Sequence, residues 1–195
     1  MNIDLEPAAR GIADLVTAVP NDMLGAPTPC PAYTVGDLVE HIGGLAIAFT
    51  GAAAKSGGPT VSQAPAPDAA RLGADWRTRI PADLLTMAAA WRDPAAWTGM
   101  TMAGGVDLPG EVAGLVALDE IFIHGWDLAV ASGQRFGYDD ASLQVVHGFV
   151  VESAAPGQQA MRDGIFGPVV DVPPDAPLLD RVLGLAGRDP GWSAR

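Results

Sequence analysis

The segment Leu118-Asp119-Glu120-Ile121-Phe122-Ile123-His124-Gly125-Trp126-Asp127 carries the side chains best suited to chemistry. Glu120 and His124 stand four residues apart. On a helix that spacing puts both on one face, with about 5–6 Å between their Cβ atoms. Their neighbours are apolar, so the helix that carries them is expected to be buried over much of its girth. A carboxylate in such surroundings is costly unless it is paired or bound to a cation. A carboxylate and an imidazole at this spacing supply half of a divalent-metal site. The other half has to come from elsewhere, and the chain holds three histidines: His41, His124 and His147. His41 lies in a second helical pattern, between Leu38 and Leu45 and beside Ile42, where a ligand in a bundle core belongs. His41, Glu120 and His124 give two imidazoles and one carboxylate. Three protein ligands leave a position open for water or substrate, the pattern of a reactive site rather than a structural one. The plainer readings stay open on spacing alone: a Glu/His pair can be an ordinary ion pair, and a histidine at an apolar edge can be a hydrogen-bonded core residue.

Other residues stand near enough in sequence to contribute. Asp37 is one turn before His41 and Asp127 is three residues after His124. Either could accept the free N–H of a ligating imidazole and fix its tautomer, and Asp37 is equally suited to capping its helix. His147 is spaced with Leu143 and Val150 and reads as structural. Cys30, in a proline-flanked stretch, could be a soft ligand, although a small buried cysteine is the commoner fate. Trp126 could line a pocket or fill the core.

The elements that must position these groups are mostly helices. Leu5, Ala8, Ala9, Ile12, Leu15, Val16 and Val19 recur at helical spacing up to Pro20. Ala26-Pro27-Thr28-Pro29-Cys30-Pro31 cannot be helical. Thr34 then reads as an N-cap with Asp37 as its capping-box partner, opening a helix over 35–54. Residues 56–70, rich in Gly, Pro and Ser, are expected to be a mobile loop over one end of the bundle. A helical pattern from Leu72 to Trp91 contains Pro81, which predicts a kink or a division into two helices. Gly104-Gly105 suggests a short hairpin. A long helix follows from Pro109 to Ser132 and stops at Gly133. Asp140 could cap a helix over 141–153, Phe166 to Val172 reads as a strand, and Pro177 to Gly187 reads as a last short helix. The fold class is therefore all-α, a helical bundle over 1–154 with a small β element. Residues 155–195 form a short C-terminal extension packed on it rather than an independent domain.

Composition narrows the function by exclusion. Eleven basic residues stand against 23 acidic ones, for a net charge of −12, and Lys55 is the only lysine. No basic run could neutralise a phosphate backbone, so no nucleic-acid partner is expected. Anionic membrane surfaces are disfavoured for the same reason. The most apolar stretch, Val112 to Ala131, contains Asp119, Glu120, His124 and Asp127, too many charges for a membrane span. One cysteine and an acidic start without a signal-peptide pattern suit a cytoplasmic protein.

Thr28-Pro29-Cys30-Pro31-Ala32-Tyr33-Thr34-Val35 with Asp37-Leu38-Val39-Glu40-His41, together with Glu120-Ile121-Phe122-Ile123-His124-Gly125-Trp126-Asp127-Leu128-Ala129, resembles the metal-binding domain family of mycothiol-dependent maleylpyruvate isomerase, within the DinB-like superfamily. The closing Leu185-Ala186-Gly187-Arg188-Asp189-Pro190-Gly191-Trp192 is similar to an actinobacterial branch of that family. The resemblance implies a DinB-like four-helix bundle whose divalent metal, usually zinc, is held at the positions of His41, Glu120 and His124. It also implies mycothiol as co-substrate and a thiol transferase or isomerase acting on a small electrophile. With about forty residues following the bundle, a counterpart of the isomerase's separate C-terminal domain is not expected. The expected partners are thus a small thiol and an electrophile, and a homodimer is the assembly considered. A metal-dependent hydrolase of a small molecule and a non-enzymatic metal- or ligand-binding protein are the alternatives.

Overall fold

The computed structural model describes residues 3–64, 66–158, 162 and 165–194. Helices α1 (Glu6–Ala18), α2 (Val35–Ala53), α4 (Trp76–Ala90) and α5 (Gly110–Ala131) form a four-helix bundle, and α3 (Pro59–Ser62) is a single turn beside α2. Within the bundle α1 and α2 each pack on both α4 and α5. The seam is filled by Ile12 and Val16 of α1, Leu38 and Ile42 of α2, Ile80, Leu84 and Met87 of α4, and Leu118 and Ile121 of α5. Outside it, α6 (Asp140–Ser153) lies against α5, and α7 (Leu178–Leu185) lies against α6.

Local chemistry sets the boundaries. Thr34 and Asp37 form the capping box: the Asp37 backbone N–H donates to Thr34 Oγ1, and Asp37 Oδ2 accepts from the Thr34 backbone N–H at 3.0 Å. Asp37 Oδ1 also accepts from the Ala69 backbone N–H at 2.8 Å, so this carboxylate joins the start of α2 to a later loop. Before the cap, the chain from Leu24 to Thr34 turns back on itself through Val35 N–H to Ala26 carbonyl and Gly36 N–H to Leu24 carbonyl bonds. Buried Thr28 donates its hydroxyl to the Cys30 and Tyr33 carbonyls, which shapes the proline-rich loop.

Strands β1 (Met100–Ala103) and β2 (Val106–Pro109) make the predicted antiparallel hairpin, with Ala103 opposite Val106. Its two-residue turn needs positive φ at both positions, which Gly104 (59°) and Gly105 (81°) supply. The Gly105 N–H donates to the Val61 carbonyl of α3, and Val61 is buried.

Several expectations change on the way to the structure. α4 runs through Pro81 as one helix, so of the two expectations the division into two helices is not met. The cap of α6 is Asp139, whose Oδ1 accepts from the Ser142 N–H, one residue earlier than the sequence suggested. Phe166 to Val172 is not a strand: the segment finds no neighbouring strand, and Val170 donates instead to the Gly184 carbonyl of α7. Within 56–70, the described residues include the α3 turn rather than irregular chain alone.

Helix α7 ends in a Schellman motif. The Gly187 N–H donates to the Gly184 carbonyl at 3.0 Å and the Arg188 N–H to the Leu183 carbonyl at 2.8 Å. Gly187 has φ of 78°, and a Cβ there would lie 2.8–2.9 Å from the Gly167 backbone. Left-handed strain and a clash with main chain act together, so Gly187→Ala should destabilise the protein by roughly 1–3 kcal/mol. Thermal melting would show this as a fall of several degrees in Tm. An unchanged Tm would mean that the tail does not hold this conformation in solution.

Candidate metal centre

α2 and α5 bring His41, Glu120 and His124 together. One nitrogen from each imidazole and one oxygen of Glu120 all lie within 4.8 Å of one another. Glu120 Oε2 is 3.3 Å from His124 Nε2 and 4.0 Å from His41 Nε2. Two atoms each about 2.1 Å from a tetrahedral cation sit about 3.4 Å apart, so these spacings suit neighbouring ligands of one ion better than a direct hydrogen bond to both rings. The two imidazole rings meet edge-on, with centroids 5.1 Å apart. Both histidines are buried, and Glu120 is half-buried.

The tautomer of His124 is set by its other nitrogen. Nδ1 lies 3.0 Å from Asp127 Oδ2, and an ionised carboxylate can only accept, so Nδ1 carries the proton and Nε2 turns toward Glu120 and His41. Asp127, fully buried, is in turn gripped by Arg188, whose Nε donates to Oδ1 at 3.0 Å and whose Nη2 donates to Oδ2 at 2.9 Å. Charge follows this geometry. Burial alone would push the Asp127 carboxyl up, but the His124 hydrogen bond and the Arg188 charge hold it below its ordinary value. Burial likewise opposes ionisation of Glu120, and the hydrogen bond and charge from His124, with the charge of His41, bring it down. His124, whose burial favours the neutral ring, is carried the other way by Asp127 and Glu120, to about 9. With no cation bound, the centre is thus an imidazolium between two carboxylates.

Of the other residues singled out in the sequence, Asp127 is the outer partner of His124. Asp37 is engaged by Thr34 and Ala69 at the helix cap. His147 sits half-buried on α6, outside the cluster. Cys30 is not in the cluster either, but it lies close enough to feel the charges of Arg188, Asp127 and Glu120; burial raises its thiol above the ordinary value. Trp126 is buried and packs with the hydrophobic core.

Three participants escape a reading of the sequence. Arg188 is 61 residues beyond Asp127 and shares no periodicity with it. Tyr33 lays its ring against both imidazoles, with centroids 5.4 Å from His41 and 6.3 Å from His124, and stands half-buried beside the centre. Only its place directly before the Thr34 cap hinted at this. Asp119, next to Glu120 in sequence, is fully buried with no partner for Oδ1, and burial drives its carboxyl well above the usual carboxylate range, helped by the Glu120 charge.

Comparison with known proteins agrees with this architecture. The profile of the family described as "Mycothiol maleylpyruvate isomerase N-terminal domain" matches residues 5–129. Two Mycobacterium tuberculosis proteins from different strains, Rv0738 and MT0763, both described as uncharacterized, are each 30% identical over 187 residues, covering 93% of this chain and 93% of theirs. The crystal structure of the mycothiol-dependent maleylpyruvate isomerase superposes with a TM-score of 0.61 at 17% identity, covering 97% of this chain and 79% of that one, and a mutant of that enzyme superposes equally well. At that identity the likeness speaks for the fold. No helix among the described residues is long and apolar enough to cross a membrane. The profile match over most of the chain, the two full-length relatives and the shared bundle together show that this chain belongs to the mycothiol maleylpyruvate isomerase N-terminal domain family.

Proposed function

We propose that the protein binds a divalent cation, zinc by the chemistry of its donors, through His41, Glu120 and His124, and uses it in a reaction between a low-molecular-weight thiol and a small electrophile. The observation that carries the reading is the convergence of three donor atoms from two helices, with His124 Nε2 already turned inward by Asp127. Two imidazoles and one carboxylate suit zinc and leave part of its coordination open. When bound, such a cation lowers the pKa of a coordinated thiol, so that the nucleophilic thiolate persists at neutral pH. The chain's own residues do the rest. Asp127 keeps the Nδ1 proton of His124 in place, Glu120 offsets the positive charge, and the ring of Tyr33 packs beside the two imidazoles.

Family membership supports mycothiol as the thiol and a maleylpyruvate-like electrophile as one substrate class. A single cysteine, Cys30, suits a reducing cytoplasm. The test is to incubate the zinc-loaded chain with maleylpyruvate, and separately with a simple electrophile, with and without mycothiol. Turnover that requires mycothiol is the expected result. Turnover that is independent of thiol would replace this reading with a hydrolase, and zinc binding without turnover of either electrophile would leave a binding protein.

A further inference from the structure

Arg188 lies outside the stretch matched by the family profile, which ends at residue 129, yet it is bonded directly behind the centre. Its guanidinium meets Asp127 as a fork. Nε reaches Oδ1 at 3.0 Å, Nη2 reaches Oδ2 at 2.9 Å, and the free corner is pinned by Nη1 to the Ala186 carbonyl at 3.2 Å. The backbone beneath it is fixed by the Schellman bonds of α7 and by the close approach of Gly187 to Gly167. Two parallel N–H bonds define the plane of a carboxylate as well as its position. That plane decides whether Oδ2 faces His124 Nδ1, to which it is bonded at 3.0 Å. A fully buried carboxylate that loses this fork is free to turn about its Cβ–Cγ bond, and turning takes Oδ2 off His124 Nδ1.

We propose that Arg188 is a positioning residue for the metal centre: it orients Asp127, and through Asp127 it holds His124 with Nε2 toward the cation. The C-terminal extension thereby becomes part of the centre's support instead of a separate appendage. The proposal rests on the metal reading above. It also has a reciprocal face. If docking of the extension favours metal binding, metal binding must favour docking of the extension to the same degree.

The experiment measures zinc affinity by competition with a chromophoric chelator for wild type, Arg188→Ala, Arg188→Lys, Asp127→Asn and the Arg188→Ala/Asp127→Asn double variant, with the cobalt(II) absorption spectrum of each as a second readout. Loss of an outer partner of a metal-bound histidine costs about 10–100-fold in affinity, and Arg188→Ala should fall in that range with a shifted cobalt spectrum. Arg188→Lys keeps the charge without the fork and should lie between Arg188→Ala and wild type. The double variant should bind no more weakly than Asp127→Asn alone, because both substitutions break one path. Low millimolar guanidinium should restore affinity to Arg188→Ala and leave Asp127→Asn unchanged, an effect that a merely structural role would not produce. Since Arg188→Ala could fold poorly, hydrogen exchange of the wild-type chain is followed as well, and zinc should slow exchange at the Arg188 and Gly187 amides. Unchanged affinity in a folded Arg188→Ala, losses that add in the double variant, or exchange in the wild type that does not respond to bound zinc would each overturn the proposal. Failure of the wild type itself to take up zinc would instead overturn the metal reading.

Discussion

His41→Ala, Glu120→Ala and His124→Ala should each leave the protein with little or no zinc after dialysis, whereas His147→Ala should keep one ion per chain. The three ligand atoms form one group within 4.8 Å, and His147 lies outside it. Apparent binding energies of about 10–16 kcal/mol for four-ligand zinc sites imply roughly 3 kcal/mol per ligand. Removing one ligand then weakens binding on the order of a hundred- to a thousandfold. The fold should survive in each case. Glu120→Ala removes a half-buried carboxylate, and His124→Ala leaves Asp127 still paired with Arg188. Metal content per chain, measured beside circular dichroism, checks this. Zinc retained by His124→Ala and lost by His147→Ala would show that the cluster is not the binding site.

The second large effect is on pH. Without a cation, Asp127 and Glu120 outweigh burial and raise His124 to about 9. Zinc needs the Nε2 lone pair, so binding must displace a proton at neutral pH. One displaced proton makes affinity rise about tenfold per pH unit, or roughly a hundredfold between about pH 6.5 and 8.5, levelling off near 9. Stability of the metal-free protein should move oppositely. The folded value of about 9 lies above the ordinary 6.5, so the stabilisation from charged His124 is complete below 6.5 and is lost as pH rises through 9. Melting curves with a chelator and with zinc should therefore diverge as pH rises across this interval. Zinc titrations that give one affinity at all pH values would contradict the imidazolium between two carboxylates.

How far these features were legible depends on how local their causes are. The Thr34 cap with Asp37, the hairpin turn at Gly104-Gly105 and the stop of α5 at Gly133 are each decided within a few residues, and each stands in the structure. Periodicity put His41 at the core edge of one helix and Glu120 with His124 on one face of another, largely buried helix; an ion pair or a core histidine stayed open on that basis, and the family resemblance singled out the three together. The extended reading of Phe166 to Val172 failed because alternating apolar residues state only that a segment can pair, not that a strand is waiting for it; here Gly184 of α7 offers the acceptor instead. Asp37 was compatible with two uses, and the one that the structure shows depends partly on Ala69, which lies 32 residues away. Arg188 was invisible for the same reason in stronger form. Nothing near it in sequence calls for a buried guanidinium, because the carboxylate it serves is on another helix.

The separation of Asp127 from Arg188 also has a consequence in time. During synthesis at about 5–20 residues per second, the 61 residues between them take about 3–12 s to be added. For nearly all of that interval the four bundle helices have been made, while Arg188 has not. Burying Asp127 then would leave its charge half-compensated, at a cost of several kcal/mol. A bundle that closes around α5 in that interval has His124 as the charged partner of Asp127, and the later docking of Arg188 is the contact that completes the fork and sets the histidine.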